Sequence, residues 1–292
     1  MHTRQTLHRN VALPSALLVA ALGLAVYSAA PRSSEGFDLI SVDQEWAMRN
    51  EIFAQAAQQK PLVNDPAAMQ YLNAIGRRIA AQTPYGNRRW DFFVVRDPSV
   101  NAFNLPGGLV FVNSGLIGEA DTLDELADVM AHEIGHGAAR HGTQTMTRAY
   151  GYNLLARLVM GRNPGMIRQI TARLVGTGVM NHYSRDAERQ ADALGVQYAT
   201  RAGFDPQGFE DFFGKLARLQ KTRPSKVGQF FSDHPLTQER IQNVAAEIAQ
   251  LPRHAALIRD SPQYQQFRAR FAAVNAAVPA PPARGRTTAG PR

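Results

Sequence analysis

The stretch Val129-Met130-Ala131-His132-Glu133-Ile134-Gly135-His136 constrains this chain more than any other. Residues i and i+4 of an α-helix lie on one face a turn apart, so His132 and His136 can grip one metal ion if the segment is helical. Glu133 then projects beside the metal, where it can take a proton from a bound water. The pattern is H-E-x-x-H, whose chemistry is zinc-activated water attacking an amide. The rest of the chain must therefore supply a helix, a third ligand and a cleft.

At 292 residues the chain can bury a large core in one or two domains. It has no cysteine, which excludes disulfides, thiolate zinc ligands, a cysteine nucleophile and a lipid-modified cysteine. The net charge of +8 is carried by the ends. Residues 1–32 contribute three arginines and no acid, and residues 251–292 seven arginines against one aspartate, so the body between them is near neutral. Basic ends of this kind read as solvated segments, and no nucleic-acid-binding signature accompanies them.

Arg4 and Arg9 precede a run from Val11 to Ala30 that carries no charge. A basic flank followed by an apolar run reads as a signal peptide or an N-terminal membrane anchor, so residues 1–32 are expected to direct export. Ser28 and Ala30 suit cleavage, Pro31 hinders it, and the run is long enough to span a bilayer. The remainder is then expected outside the cytoplasm.

Helices are expected over residues 43–59, with Trp46, Ile52, Phe53 and Ala56 on one face, and from Asp65-Pro66 to about Gln82. Residues 90–95 and 109–112 read as strands. Between them, Asn101, Ala102 and Phe103 lead into Leu105-Pro106-Gly107-Gly108, which suggests an edge strand that breaks into a turn. Such an edge can accept an extended peptide, or it can be a plain hairpin connection. Asp121 or Thr122 can cap the next helix, whose apolar stripe of Leu123, Leu126, Ala127, Met130 and Ile134 places the H-E-x-x-H residues beside it. Gly135 and Gly137 leave room there for another element to approach the metal.

Residues 152–160 and 166–179 read as two amphipathic helices or a lid, since Arg157, Arg168 and Arg173 argue against a membrane span. A helix follows from Ala187 to about Thr200, and another from Asp205-Pro206 to about Gln220. Lys221 to Gln229 reads as a polar loop, after which His234 sits on a turn and Thr237 caps a helix to about Gln250. Residues 251–277 form a C-terminal helical extension, and 278–292 a disordered basic tail rich in proline and alanine.

Catalytic zinc commonly takes three protein ligands and a water. An extended motif with a glycine and a third histidine six residues past His136 is ruled out, because position 139 is Ala, position 142 is Gly and the histidine is His141. His141 reads as a helix-end residue or as support for a ligand. Glu188 lies 52 residues beyond His136 on an expected helix, and Asp192 one turn on can hydrogen-bond a ligand histidine.

Four motifs in order, Asn101-Ala102-Phe103 with Leu105-Pro106-Gly107-Gly108, His132 to His136, Glu188-x-x-x-Asp192, and Ser232-x-His234-Pro235 with Arg240, give the chain a resemblance to the HtpX- and Oma-like gluzincin metallopeptidases. That family includes periplasmic proteases that assist outer-membrane β-barrel assembly. The resemblance covers about residues 40–250. It implies an α+β, mostly helical, zincin-like metallopeptidase domain over 33–250, with a small antiparallel sheet and an active-site helix carrying H-E-x-x-H. It implies one Zn2+ held by His132, His136 and Glu188, with Glu133 as general base. Asn101, Ala102 and Phe103 are implied to line the substrate cleft, and His234 and Arg240 to face the active site. The multiple membrane spans and the C-terminal repeat domain of some members are missing.

The expected function is a zinc metalloendopeptidase of the periplasm or cell envelope acting on unfolded or misassembled polypeptides, with no nucleic-acid partner. His234 or Arg240 would hold a developing oxyanion, or His234 would fill the open zinc position until substrate arrives. The alternative is an envelope chaperone or assembly factor in which zinc-dependent hydrolysis is minor or regulated.

Overall fold

A computed structural model describes residues 40–148, 151, 172, 183–252 and 256–276. The expected leader at 1–32, the segments at 152–160 and 166–179, and the tail at 278–292 lie outside the described residues. Among the described residues, no helix is long and apolar enough to cross a membrane.

The element order is α1 (Val42–Gln59), α2 (Pro66–Ala80), β1 (Asp91–Val95), β2 (Ala102–Leu105), β3 (Leu109–Asn113), α3 (Ser114–Glu119) and α4 (Leu123–Ala138). It continues with α5 (Arg185–Arg201), α6 (Gln207–Thr222), α7 (Pro224–Asp233), α8 (Gln238–Gln250) and α9 (Pro262–Ala276). The helix starts follow local chemistry. Ser41 and Gln44 form a reciprocal capping box on α1, and the Asp65 carboxylate accepts from the Ala68 N–H ahead of Pro66 on α2. Ser184 caps α5 and Thr237 caps α8 through their hydroxyls.

The sheet has the order β1-β3-β2. It is mixed rather than antiparallel: β2 and β3 form an antiparallel hairpin across the Pro106–Gly108 turn, whereas β1 lies parallel to β3. The reason is that the chain leaving β1 passes β3's position and enters β2 on its far side, so β3 returns between the two. Side-chain alternation then divides the interior. Phe93, Val95, Phe103, Leu105, Leu109 and Phe111 face α1, and Phe92, Val94, Ala102, Val110 and Val112 face the core built on α2 to α9. A stacked ladder of Phe53, Phe93, Phe111 and Phe103, with centroids 4.7, 5.1 and 5.0 Å apart, seals the first face.

The polar stretch after α6 is helical rather than a loop. Pro224 suits the first turn of a new helix, and Val227 and Phe230 bury one face of α7. The C-terminal helix α9 sinks Tyr264, Phe267 and Phe271 into the main core, and the Tyr264 hydroxyl donates to the Ala120 carbonyl at 2.7 Å.

The main packing partner of α4 is α5. Their backbones approach closely: a Cβ on Gly135 would stand 2.8 Å from the Ala191 carbonyl oxygen, and one on Gly195 would stand 3.0 Å from the His132 amide nitrogen. Neither backbone can yield cheaply. Gly135→Ala is therefore expected to destabilise the fold by about 1–3 kcal/mol, read as a lower melting temperature, with the helices levered apart.

Asp128 lies one turn before His132, is wholly buried and faces the first turn of α6 at Gly208 and the Phe209 amide. Burial, with the nearby carboxylate of Asp124, pushes its pKa well above the ordinary carboxylate value. An acid whose folded pKa is raised binds its proton more tightly when folded, so the stability it confers is lost as pH rises. Asp128→Asn should flatten the fall in stability expected as pH rises above the ordinary aspartate pKa of about 4, measured by urea unfolding at several pH values.

Candidate metal centre

Four elements converge on one buried point. Helix α4 presents His132, Glu133 and His136, α5 presents Glu188 and Asp192, the end of α7 presents His234, and α8 presents Arg240. All seven are buried, with Glu133, His136 and His234 wholly enclosed.

The donor atoms of His132, His136, Glu188 and His234 form a compact group. Nε2 of His132 and Nε2 of His136 are 3.0 Å apart, and Nδ1 of His234 is 3.4 Å from the former. Glu188 lies 3.6 Å from His132 Nε2, 3.5 Å from His136 Nε2 and 3.1 Å from His234 Nδ1. A tetrahedral zinc ion with bonds of about 2.0–2.1 Å separates its ligands by roughly 3.3–3.4 Å, and these separations, the 3.6 Å one from Oε2 of Glu188 and the other two from its Oε1, are of that size. The Glu133 carboxylate adds a second sign of fit. Both of its oxygens are buried with no hydrogen-bond donor among the described residues.

Charge balance depends on Arg240. Its guanidinium grips both Asp192 oxygens at 2.7 Å, reaches Glu188 at 2.7 Å and donates to the Pro235 carbonyl at 3.1 Å. Asp192 in turn stands 2.9 Å from Nδ1 of His132. Burial works against ionisation of Asp192, but Arg240 and His132 outweigh it and hold the carboxyl below its usual range. For Glu188 burial is likewise overcome, by His234 and His136.

The histidines differ. Burial holds His136 well below the usual imidazole value and His141 down to about 4. Burial also opposes the charge on His234, yet the carboxylates of Glu188 and Glu133 raise it to about 9. Glu133 is pushed up by burial.

Of the residues expected along the cleft, Asn101 and Ala102 are wholly buried and Phe103 nearly so. The Asn101 side chain donates to Asp233 at 2.9 Å, next to His234, and Phe103 points into the α1 side of the sheet. Sequence reasoning missed Tyr183 and Gln190. The Tyr183 ring stacks on His136 at 4.0 Å and 19°, and its hydroxyl approaches Asn104 on β2 at 3.5 Å. Gln190 contacts His141, which itself touches His136. No spacing rule marks either residue; only the α4–α5 approach brings them in.

The sequence profile of peptidase family M48 matches residues 66–248, which contain every residue of this centre. The chain belongs to peptidase family M48. Metallopeptidases of this family use zinc, in keeping with the donor set. Among curated proteins, the beta-barrel assembly-enhancing protease of Escherichia coli K12 is 32% identical over 225 residues, covering 73% of this chain and 45% of that protein. Its counterpart in Yersinia pestis is 31% identical, covering 74% and 46%. The mitochondrial metalloendopeptidase OMA1 of Schizosaccharomyces pombe is 28% identical over 211 residues, covering 71% and 62%. The chain thus spans about half the length of the bacterial relatives it matches.

Arg240→Leu leaves Asp192 and Glu188 buried without their cation. The expected cost is about 3–5 kcal/mol, with weaker zinc retention, checked by thermal melting and by metal analysis after dialysis.

Proposed function

We propose that this chain is a zinc metalloendopeptidase of the cell envelope that cleaves unfolded or unassembled polypeptides. The observation that carries the reading is the Glu133 carboxylate, buried without a donor directly after the ligand His132. A structural acid in that position would be hydrogen-bonded, whereas the polar neighbour of Glu133 is His234 Nε2 at 3.4 Å, with no hydrogen bond between them among the described residues.

His132, His136 and Glu188 hold the metal. Zinc supplies Lewis acidity there, bringing the pKa of water towards neutrality and polarising a peptide carbonyl. Glu133 takes the proton of the attacking water and returns it to the leaving amine. Its raised affinity for protons suits both halves of that transfer. Asp192 orients His132, and Arg240 positions Asp192 and Glu188. Arg240 spends its donors on these partners, so the oxyanion donor is His234, whose Nε2 lies 3.4 Å from Glu133.

Strand β2 is the edge of the sheet and packs against α4. An extended peptide is proposed to lie along it. Ala102 would serve through its backbone, which faces away from β3, while Asn101 and Phe103 direct theirs at β3, as the Asn113 N–H to Asn101 carbonyl bond shows, and would hold the strand in place. The envelope setting and the substrate class rest on the apolar run at 11–30 and on the named bacterial relatives.

One observation favours regulated hydrolysis. Nδ1 of His234 stands within the donor set, so with a metal bound the histidine would compete with a substrate carbonyl for it. The chaperone-like alternative would make this the resting state of a mainly non-hydrolytic protein.

Glu133→Gln should keep one zinc per chain and lose cleavage of an unfolded protein such as reduced casein by about 10²–10⁴-fold. Cleavage at the original rate would sink the mechanism. The same variant, used to trap bound proteins from envelope fractions, should hold unassembled envelope polypeptides.

A further inference from the structure

The two zinc-ligand histidines of α4 are supported in different ways. His132 faces the carboxylate of Asp192, itself locked by Arg240. His136 faces another imidazole: its Nδ1 is 2.9 Å from Nδ1 of His141, and Nε2 of His141 is 3.0 Å from Oε1 of Gln190.

A neutral imidazole has one nitrogen that donates and one that accepts. Nε2 of His136 points into the donor set, 3.0 Å from His132 and 3.5 Å from Glu188, so it must present a lone pair. Its proton then sits on Nδ1 and is donated to Nδ1 of His141. That nitrogen must accept, which leaves the His141 proton on Nε2, directed at the Gln190 oxygen. A single assignment satisfies every link.

The backbone brings His141 into place. Past the α4 C-cap at Ala139, Arg140 adopts φ 59°, the only non-glycine residue with positive φ among the described residues. A left-handed residue directly after the C-cap is a common helix ending, usually filled by glycine, and here it is an arginine. Here Arg140 pairs with Glu45 at 2.8 Å, and the reversal folds His141 back over His136, where it is nearly wholly buried.

We propose that Gln190 and His141 form a neutral hydrogen-bond relay that fixes the tautomer and ring plane of His136 for zinc, making both of them positioning residues. The relay rests on the metal centre described above. It also limits charge: Glu133, Glu188 and Asp192 already place three carboxyl groups in the enclosed site, and an imidazole acceptor adds no fourth.

The test uses the full chain loaded with zinc. In 15N-histidine spectra, His141 should carry its proton on Nε2 and none on Nδ1, and His136 the reverse, with Nε2 unprotonated. A proton on His141 Nδ1 overturns the relay. In competition with a chelator, His141→Leu should weaken zinc binding about 10–100-fold. His141→Asn offers an amide oxygen as acceptor and should recover most of that loss, whereas Gln190→Leu should weaken binding by a smaller factor. Zinc binding by folded His141→Leu equal to that of the original chain overturns the proposal, as does His141→Asn binding no better than His141→Leu. If His141→Leu does not fold, Gln190→Leu decides: weakened binding supports the relay and unchanged binding overturns it. Failure of the original chain to bind zinc would instead refute the metal centre itself.

Discussion

The close approach of α4 and α5 is the constraint on which the rest depends. H-E-x-x-H gives two ligands on one helical face, and an ion held by two ligands is held weakly. The third ligand must come from another backbone, near enough for a short glutamate side chain to reach. Gly135 and Gly195 make this possible by removing a Cβ from each side of the crossing. Once the helices are that close, Glu188 meets His132 and His136, and Asp192 falls beside the outer nitrogen of His132.

That proximity creates an electrostatic problem, which the fold answers with one cation from a third element. Glu133, Glu188 and Asp192 are enclosed where isolated carboxylates would not stay ionised. Arg240 neutralises two of them, gripping Asp192 bidentately through Nε and Nη2 and reaching Glu188 through its third nitrogen, Nη1, because Thr237 starts α8 at the right place. A metal held by the donor set would answer the rest. Glu133 stays outside the arginine's grip, and its burial keeps it a good proton acceptor. Asp128, one turn earlier on α4, has no such cation and remains a cost to the fold at neutral pH.

Much of this was legible in the sequence because it lies in spacings along single helices. His132 and His136 at i and i+4, and Glu188 and Asp192 at i and i+4, determine the ligand faces wherever those helices form. The Asp65-Pro66 and Thr237 starts were equally local. What was not legible depends on tertiary contact. The parallel pairing of β1 with β3 turns on which side of β3 the chain passes, which no alternation pattern encodes. The α7 helix hid within a polar stretch whose two buried residues, Val227 and Phe230, are too few to show a period. Tyr183 and Gln190 matter because of what α5 brings against α4; His141 was readable as support for a ligand, and only its partner, His136, depends on the backbone reversal at Arg140.

The sheet and the metal centre are coupled at one place. Asn101, at the head of β2, donates to Asp233, the last residue of α7 and the neighbour of His234; the Val100 amide donates to Lys226 in the same helix. At the other end of the strand, Asn104 meets the Tyr183 hydroxyl, whose ring stacks on His136. The edge proposed to receive a peptide is thus bonded at one end to the element carrying His234 and at the other to the ring that covers a zinc ligand. A peptide seated along β2 cannot shift that strand without acting on one of these two contacts. If a peptide lies along β2 as proposed, the histidine in the donor set and the strand tied to its helix would respond together, because the Asn101–Asp233 and Val100–Lys226 bonds join them.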